Sequence, residues 1–180
     1  MSPRSRAHFS ASDEGVAIRD CTAVDYDALL RLNEDALPAV SRIDRDALAH
    51  LHGQSLSLRV ATVGELVAGF LLALRQGADY GSPNYQWFSE RHENFSYVDR
   101  IVVGKLFRGG GVGRLLYRDL RQRCGDAPVL CCEVNLRPPN PGSLAFHHVL
   151  GFREVGQQTT DEGAKRVSLQ ELILEGAEAG

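Results

Sequence analysis

Val103-Gly104-Lys105-Leu106-Phe107-Arg108-Gly109-Gly110-Gly111-Val112-Gly113 is the stretch that decides the fold. An apolar, β-prone run, Tyr97-Val98-Asp99-Arg100-Ile101-Val102-Val103, leads into it, and a helical pattern from Val112 to Leu120 leads out. Strand, glycine turn, helix is the layout that aims free backbone N–H groups at an anion, with the helix dipole adding roughly half a positive charge. Glycine lets that backbone come close and take positive φ without a Cβ clash. The segment reads as a phosphate cradle; the alternative is a glycine turn that merely joins strand to helix.

Spacing decides which cradle. A nucleotide-binding P-loop needs Lys and a hydroxyl after its second glycine, and here Gly110 and Gly111 follow Gly109 instead. The dinucleotide fingerprint Gly-x-Gly-x-x-Gly counted from Gly109 demands glycine at Arg114, and counted from Gly111 demands it at Leu116. Both fail, which disfavours a nucleotide-phosphate enzyme. What fits is Arg-x-x-Gly-x-Gly, Arg108 to Gly113, with Val103 five residues before it.

That pattern resembles the pyrophosphate loop of the GNAT acetyltransferase superfamily, which binds acetyl-CoA. A second block is similar to the superfamily's later motif. Cys132-Glu133-Val134-Asn135 is followed by Asn140-Pro141-Gly142-Ser143-Leu144-Ala145-Phe146-His147-His148-Val149-Leu150-Gly151-Phe152. The spacing from Asn140 to Gly151-Phe152 fits without gaps. The resemblance covers about residues 15–175. It implies an α/β fold with a mixed, mostly antiparallel central sheet splayed around acetyl-CoA and flanked by about four helices.

The bulk properties agree with such a domain. At 180 residues the chain has the length of one domain with a full core. A net charge of −3 argues against nucleic acid or an anionic membrane as partner, and no apolar run approaches the ~20 residues of a membrane span. Met1 to His8 contains no apolar signal-peptide core. Residues 1–14 read as a flexible N-terminal tail and 176–180 as a C-terminal one. Cys21, Cys124, Cys131 and Cys132 show neither a Cys-x-x-Cys pair nor a zinc spacing with the histidines, so no metal is expected and free thiols in a reducing cytoplasm are. Cys131 and Cys132 alternate across a strand, which puts one of them in the core.

Val16 to Arg19 is a candidate first strand. Asp25 is placed to cap a helix through Leu32, a second helix runs from Asp44 to Leu51, and Leu56–Thr62 with Leu66–Leu74 form a hairpin. Residues 76–94 show no clear period and read as a loop. A strand over Val129–Asn135, a helix near 142–150 and a hairpin over 152–174 complete the order.

Acetyl transfer to an amine needs a base for the amine proton, stabilisation of the thioester oxygen and release of the thiolate. By resemblance, Ile101, Val102 and Val103 pair their backbone with the pantetheine arm. Arg108, Gly109, Gly110, Gly111, Val112, Gly113 and Arg114 cradle the pyrophosphate, and Asn140 and Phe146 line the arm. Asn140 also reads as a plain helix entry. A backbone N–H near Val103 is placed to polarise the carbonyl. Glu133 is the first candidate base, in a strand similar to that of N-terminal amine acetyltransferases. Asp99, on one face with Tyr97, Ile101 and Val103 by strict alternation, is the second, with a salt bridge to Arg100 as its other role.

His147 stands where the family usually has a tyrosine acid. The departure leaves three readings open: His147 as acid, Tyr97 or no acid at all, or a non-catalytic acyl-CoA-binding module. Candidate acceptor contacts are Asn33, Tyr80, Tyr85, Trp87, Tyr97 and Asn135, with a dimer contact or core packing as the competing role of the aromatics in 76–97. The expected reaction is acetyl transfer to a small-molecule or peptide primary amine by direct attack, in a chain compatible with a homodimer. Asn33 to Ser41, Tyr97 to Arg100 and Glu133 to Asn135 are also similar to a bacterial group of GNAT proteins, a resemblance that leaves the acceptor unnamed.

Overall fold

The computed structural model describes residues 15–174, so both tails read from the sequence lie outside the described residues. Its elements are β1 (Val16–Asp20), α1 (Tyr26–Asp35), α2 (Arg45–Gln54), β2 (Ser57–Val63), β3 (Leu66–Arg75), α3 (Pro83–Ser89), β4 (Ser96–Val103), α4 (Val112–Arg121), β5 (Val129–Arg137), α5 (Pro141–Leu150), β6 (Arg153–Thr160) and β7 (Lys165–Ile173). One seven-stranded sheet has the order β1-β2-β3-β4-β5-β7-β6. Every neighbouring pair is antiparallel except β4 and β5, which run parallel. The mixed, mostly antiparallel α/β architecture is as expected, with five helices among the described residues rather than about four.

The sheet is covered on both faces. Leu29 of α1, Leu48 and Leu51 of α2 and Phe88 of α3 pack on one side with Phe70, Leu72 and Tyr97. Val112, Leu116, Tyr117 and Leu120 of α4 pack on the other with Leu71, Val98 and Leu130. Central strands therefore bury both sets of side chains, the pattern of a doubly covered sheet. Cys131 and Cys132 consequently both lie in core, one in each layer, where strict alternation led to only one. All four cysteines are free and buried.

Three local readings are corrected. The extra helix α3 arises from Ser82-Pro83, where the Ser82 hydroxyl caps the Tyr85 N–H and Pro83 occupies the first turn. Asn84, Tyr85 and Phe88 then share its buried face. Asp25 does not cap α1 by its side chain. It reaches back to accept from the Thr22 N–H at 2.8 Å and from both terminal nitrogens of Arg19 at 2.7–2.8 Å. Third, β4 carries a bulge: Arg100 pairs with Leu72 and Val98 with Ala73, leaving Asp99 unpaired. The bulge flips the face, so Tyr97 and Val102 pack in one layer while Val98, Ile101 and Val103 pack in the other.

Arg19 and the Thr22 N–H hold the Asp25 carboxyl down to about 2, against the opposing effect of burial. Because the folded value lies below the ordinary one, this stability is present above pH ~4 and lost as pH falls through about 2. Asp25→Asn is expected to cost about 1–2 kcal/mol at pH 7 by denaturant unfolding, with the gap to the wild type closing as the pH falls through that window.

Candidate active site

β4 and β5 are paired only at Ser96–Leu130 and Tyr97–Cys131. Beyond that point they part, and a cleft of about 930 Å³ opens between them, running from the glycine loop to the β6–β7 tip. The Gly104 N–H donates to the Ala68 carbonyl on β3 at 2.8 Å. Strand alternation then points the backbone of Ile101 and Val103 away from β3, into the cleft, and that of Val102 towards β3. Of the three strand residues expected to offer backbone groups, two therefore do; Val102 lines the cleft but turns its side chain into the core.

The glycine loop is built as its sequence implies. Gly109 and Gly111 sit at φ 78° and 85°, conformations that L side chains rarely adopt. A Cβ on Gly113 would stand 2.9 Å from the Phe146 ring, so α4 and α5 meet closely here only because a hydrogen stands there. The first turn of α4 leaves the N–H groups of Val112, Gly113 and Arg114 without intrahelical acceptors, all beside the cleft. Gly110 is buried, and its N–H is directed at the Phe107 carbonyl rather than at a ligand. The Arg108 Nε donates to the Val103 carbonyl at 3.0 Å, tying the loop to the strand end, while Arg114 is exposed at the cleft. Asn140 caps α5 by accepting from the Ser143 N–H at 3.2 Å, the helix-entry role, and it also lines the cleft.

Where the strands part, Glu133 projects from β5. The Tyr97 hydroxyl donates to its Oε2 at 2.5 Å, and the Asn84 amide of α3 also hydrogen-bonds it. Burial pushes the Glu133 carboxyl up to about 7, outweighing the opposing effect of those two hydrogen bonds. Asp99, beside it on the bulge, is committed within the protein. It accepts from the Tyr80 hydroxyl and from the Arg100 Nε, the latter at 2.6 Å, and both charged side chains are almost wholly buried.

His147 is also buried. Its Nδ1 lies 2.7 Å from the Ser143 carbonyl, which can only accept, so Nδ1 carries the proton. Nε2 is then an acceptor, receiving the Tyr117 hydroxyl at 2.8 Å. Burial lowers the His147 pKa and keeps the ring neutral.

Of the six acceptor candidates, Tyr80 and Asn135 line the cleft. Asn33 is buried, donating to the Ser41 carbonyl and accepting from Arg100, and Asn135 donates to the Pro38 carbonyl at 3.0 Å. Both asparagines thus hold the α1–α2 loop against the sheet. Tyr85 is core, with its hydroxyl on the Arg75 carbonyl at 2.6 Å. Trp87 packs against Gly156, under the Arg91 guanidinium at 3.5 Å, outside the main cleft. Tyr97 is fully buried and reaches the site only through Glu133. Sequence reasoning missed Asn84, Tyr117 and the β6–β7 tip, where Thr160, Asp161 and Lys165 close the far end of the cleft. Ser82-Pro83 was the available signal for Asn84; the tip has none of its own.

A parallel strand pair that parts over a helix start opened by glycine, with a carboxylate on its floor, defines an acyl-CoA-binding acyltransferase fold. Residues 26–152, more than half of the chain, match the model of the Acetyltransferase (GNAT) family, and the chain belongs to that family. It is accordingly an acetyl-CoA-dependent acyltransferase. Among solved structures, the chain is similar to Ard1 from Thermoplasma volcanium (TM-score 0.72, 17% identity, covering 90% of this chain and 99% of that one). It is also similar to the ribosomal-protein-S18-alanine N-acetyltransferase from Escherichia coli (TM-score 0.67, 17% identity, 92% and 96% covered). A third is yncA from Salmonella typhimurium, solved with its cofactor acetyl-CoA (TM-score 0.67, 19% identity, 92% and 97% covered). At these identities the likeness is one of fold. No curated protein matches the chain. No helix among the described residues is long and apolar enough to cross a membrane.

Proposed function

We propose that the protein moves the acetyl group of acetyl-CoA to a primary amine, of a small metabolite or a peptide N-terminus, by direct attack in a ternary complex in the cytoplasm. The observation that carries this reading is Glu133. It is a carboxylate held by Tyr97 and Asn84 where the strands part, and burial sets it near neutrality, where a general base works well. Glu133 takes the proton of the incoming ammonium, directly or through one water. The Val103 N–H faces the cleft and stabilises charge on the thioester oxygen. The backbone at Ile101 and Val103 and the first turn of α4 hold the donor in place.

His147 enters as a positioning group rather than an acid, because its Nδ1 proton is held by the Ser143 carbonyl and its Nε2 accepts from the Tyr117 hydroxyl. A thiol with an unperturbed pKa of about 8.5 leaves as thiolate without obligatory protonation. Asp99, bound by Arg100 and Tyr80, shapes the site instead of titrating the substrate. The acceptor end, between the α1–α2 loop and the β6–β7 tip, has room for either class of amine.

The test is free-thiol release from acetyl-CoA across primary amines, amino acids and short peptides. All four native thiols are buried, so their background is low. Release that depends on one amine class supports the reading and names the class. No release from any amine, with acetyl-CoA bound, would leave the non-catalytic module.

The pH dependence supplies a second check. kcat/KM for the amine is expected to fall with unit slope below a pH of about 7, as Glu133 takes up its proton. The Tyr97 hydrogen bond favours the charged carboxylate, so Tyr97→Phe should move that limb to higher pH. A limb unmoved in this variant would count against Glu133.

A further inference from the structure

At the other end of α3, three potential metal ligands from separate parts of the chain converge. Cys131 on β5 and Glu171 on β7 are direct partners across the ladder. Paired residues raise their side chains on one face, here the face that α3 covers. His92, just past α3, drops onto them, with its Nε2 2.6 Å from Glu171 Oε1. The ligand atoms of all three residues lie within 4.8 Å of one another. Cys131 is fully buried, and its thiol has no hydrogen-bond partner among the described residues. His92 and Glu171 keep side-chain exposures of 26% and 16%, which gives an ion a route in from solvent.

We propose that His92, Cys131 and Glu171 form a binding site for one divalent transition ion of the zinc type, separate from the acetyl-transfer cleft. The donor set decides the class. Thiolate and imidazole select zinc-like ions, whereas magnesium and calcium favour all-oxygen shells. Metal–ligand distances of roughly 2.0–2.3 Å place tetrahedral ligand atoms about 3.3–3.8 Å apart. The cluster reaches that spacing if His92 and Glu171 open by about an ångström and Cys131 closes by a similar amount. Three protein ligands leave a fourth position, on the exposed side of His92, for water. On binding, the Cys131 thiol gives its proton to solvent as the sulfur–metal bond forms. The ion fastens the end of α3 to β5 and β7, and the other end of the same helix holds Asn84 on Glu133.

Sequence spacing cannot show this site, because its three ligands lie in three distant segments brought together by the sheet. The experiment is a cobalt(II) titration of untagged, chelator-treated protein. A near-ultraviolet thiolate-to-cobalt band saturating at one ion per chain, and abolished by competing zinc, is the expected result. Cys131→Ser should lose the band while keeping its circular dichroism and acetyl-CoA binding. His92→Gln and Glu171→Gln should each weaken affinity at least about tenfold. Zinc should raise the melting temperature of the wild type and leave that of Cys131→Ser unmoved. Two results overturn the site: no band at saturating cobalt, or a band that persists in Cys131→Ser and so reports another cysteine. If Cys131→Ser does not fold, His92→Gln on the partly exposed segment decides, and wild-type affinity in it overturns the proposal.

Discussion

Glu133→Gln is expected to lower kcat by about 10²–10³-fold, the usual worth of a positioned general base, while leaving the KM for acetyl-CoA unchanged. The amide keeps the shape of the carboxylate and can still accept from Tyr97, so only the proton-accepting charge is lost. Stability should move the other way. The Glu133 carboxyl sits at about 7 in the fold against an ordinary value of 4.5, so the native state binds the proton more tightly than the unfolded chain. The wild type therefore loses stability as pH rises from about 4.5 to about 7, and the variant does not. Melting at pH 8 should show Glu133→Gln at least as stable as the wild type, which separates a catalytic loss from misfolding. Full turnover in both Glu133→Gln and Asp99→Asn would refute the choice of base.

Arg100→Met carries the largest expected loss of stability, about 3–5 kcal/mol, because it strands a buried carboxylate. Arg100 Nε donates to Asp99 at 2.6 Å, and Nη1 donates to Asn33 Oδ1 at 2.8 Å and to the Ser41 carbonyl at 3.1 Å. One guanidinium thus neutralises the β4 bulge and ties the α1–α2 loop to it. Without the cation, Asp99 keeps only the Tyr80 hydroxyl, and its side chain is 3% exposed. For a domain of this size the corresponding drop in melting temperature is about 10 °C. The freed loop should raise the KM for the amine, with little change in the KM for acetyl-CoA. Asp99→Asn added to Arg100→Met should recover part of the stability, since the uncompensated charge is then gone. A loss below ~1 kcal/mol in the single variant would mean that the pair is solvated like a surface ion pair.

Much of the fold was legible because its signals are local. Gly109, Gly111 and Gly113 permit positive φ and close approaches that other residues would block, and a strand before and a helix after them mark the turn between the two. The gap-free run from Asn140 to Phe152 supplied the second anchor. The hairpin of β2 and β3 announced itself by two apolar runs around Val63-Gly64-Glu65, and its register carries only one irregularity. Helix α3 was missed because its seven residues are too few for a visible period, although Ser82-Pro83 marked its start.

The functional side chains divide in the same way. The backbone conformation of the glycine loop and of the strand end at Val103 was legible in the sequence, since backbone geometry follows from local residue types. Groups whose role depends on a neighbour were not. Whether Asp99 is a base or a buried ion-pair partner rests on a bulge that turns β4 by one residue, and on Arg100 and Tyr80 arriving beside it. Whether His147 gives or accepts a proton rests on the Ser143 carbonyl and on Tyr117 from another helix. The chain by itself determined the glycine turn, the order of the strands and of every helix but α3, and the family, because these are written in contiguous residues. Only the tertiary structure decided that Asp99 is ion-paired with Arg100 and that burial raises the Glu133 carboxyl, because burial and hydrogen bonding across distant segments set the proton affinity of each group.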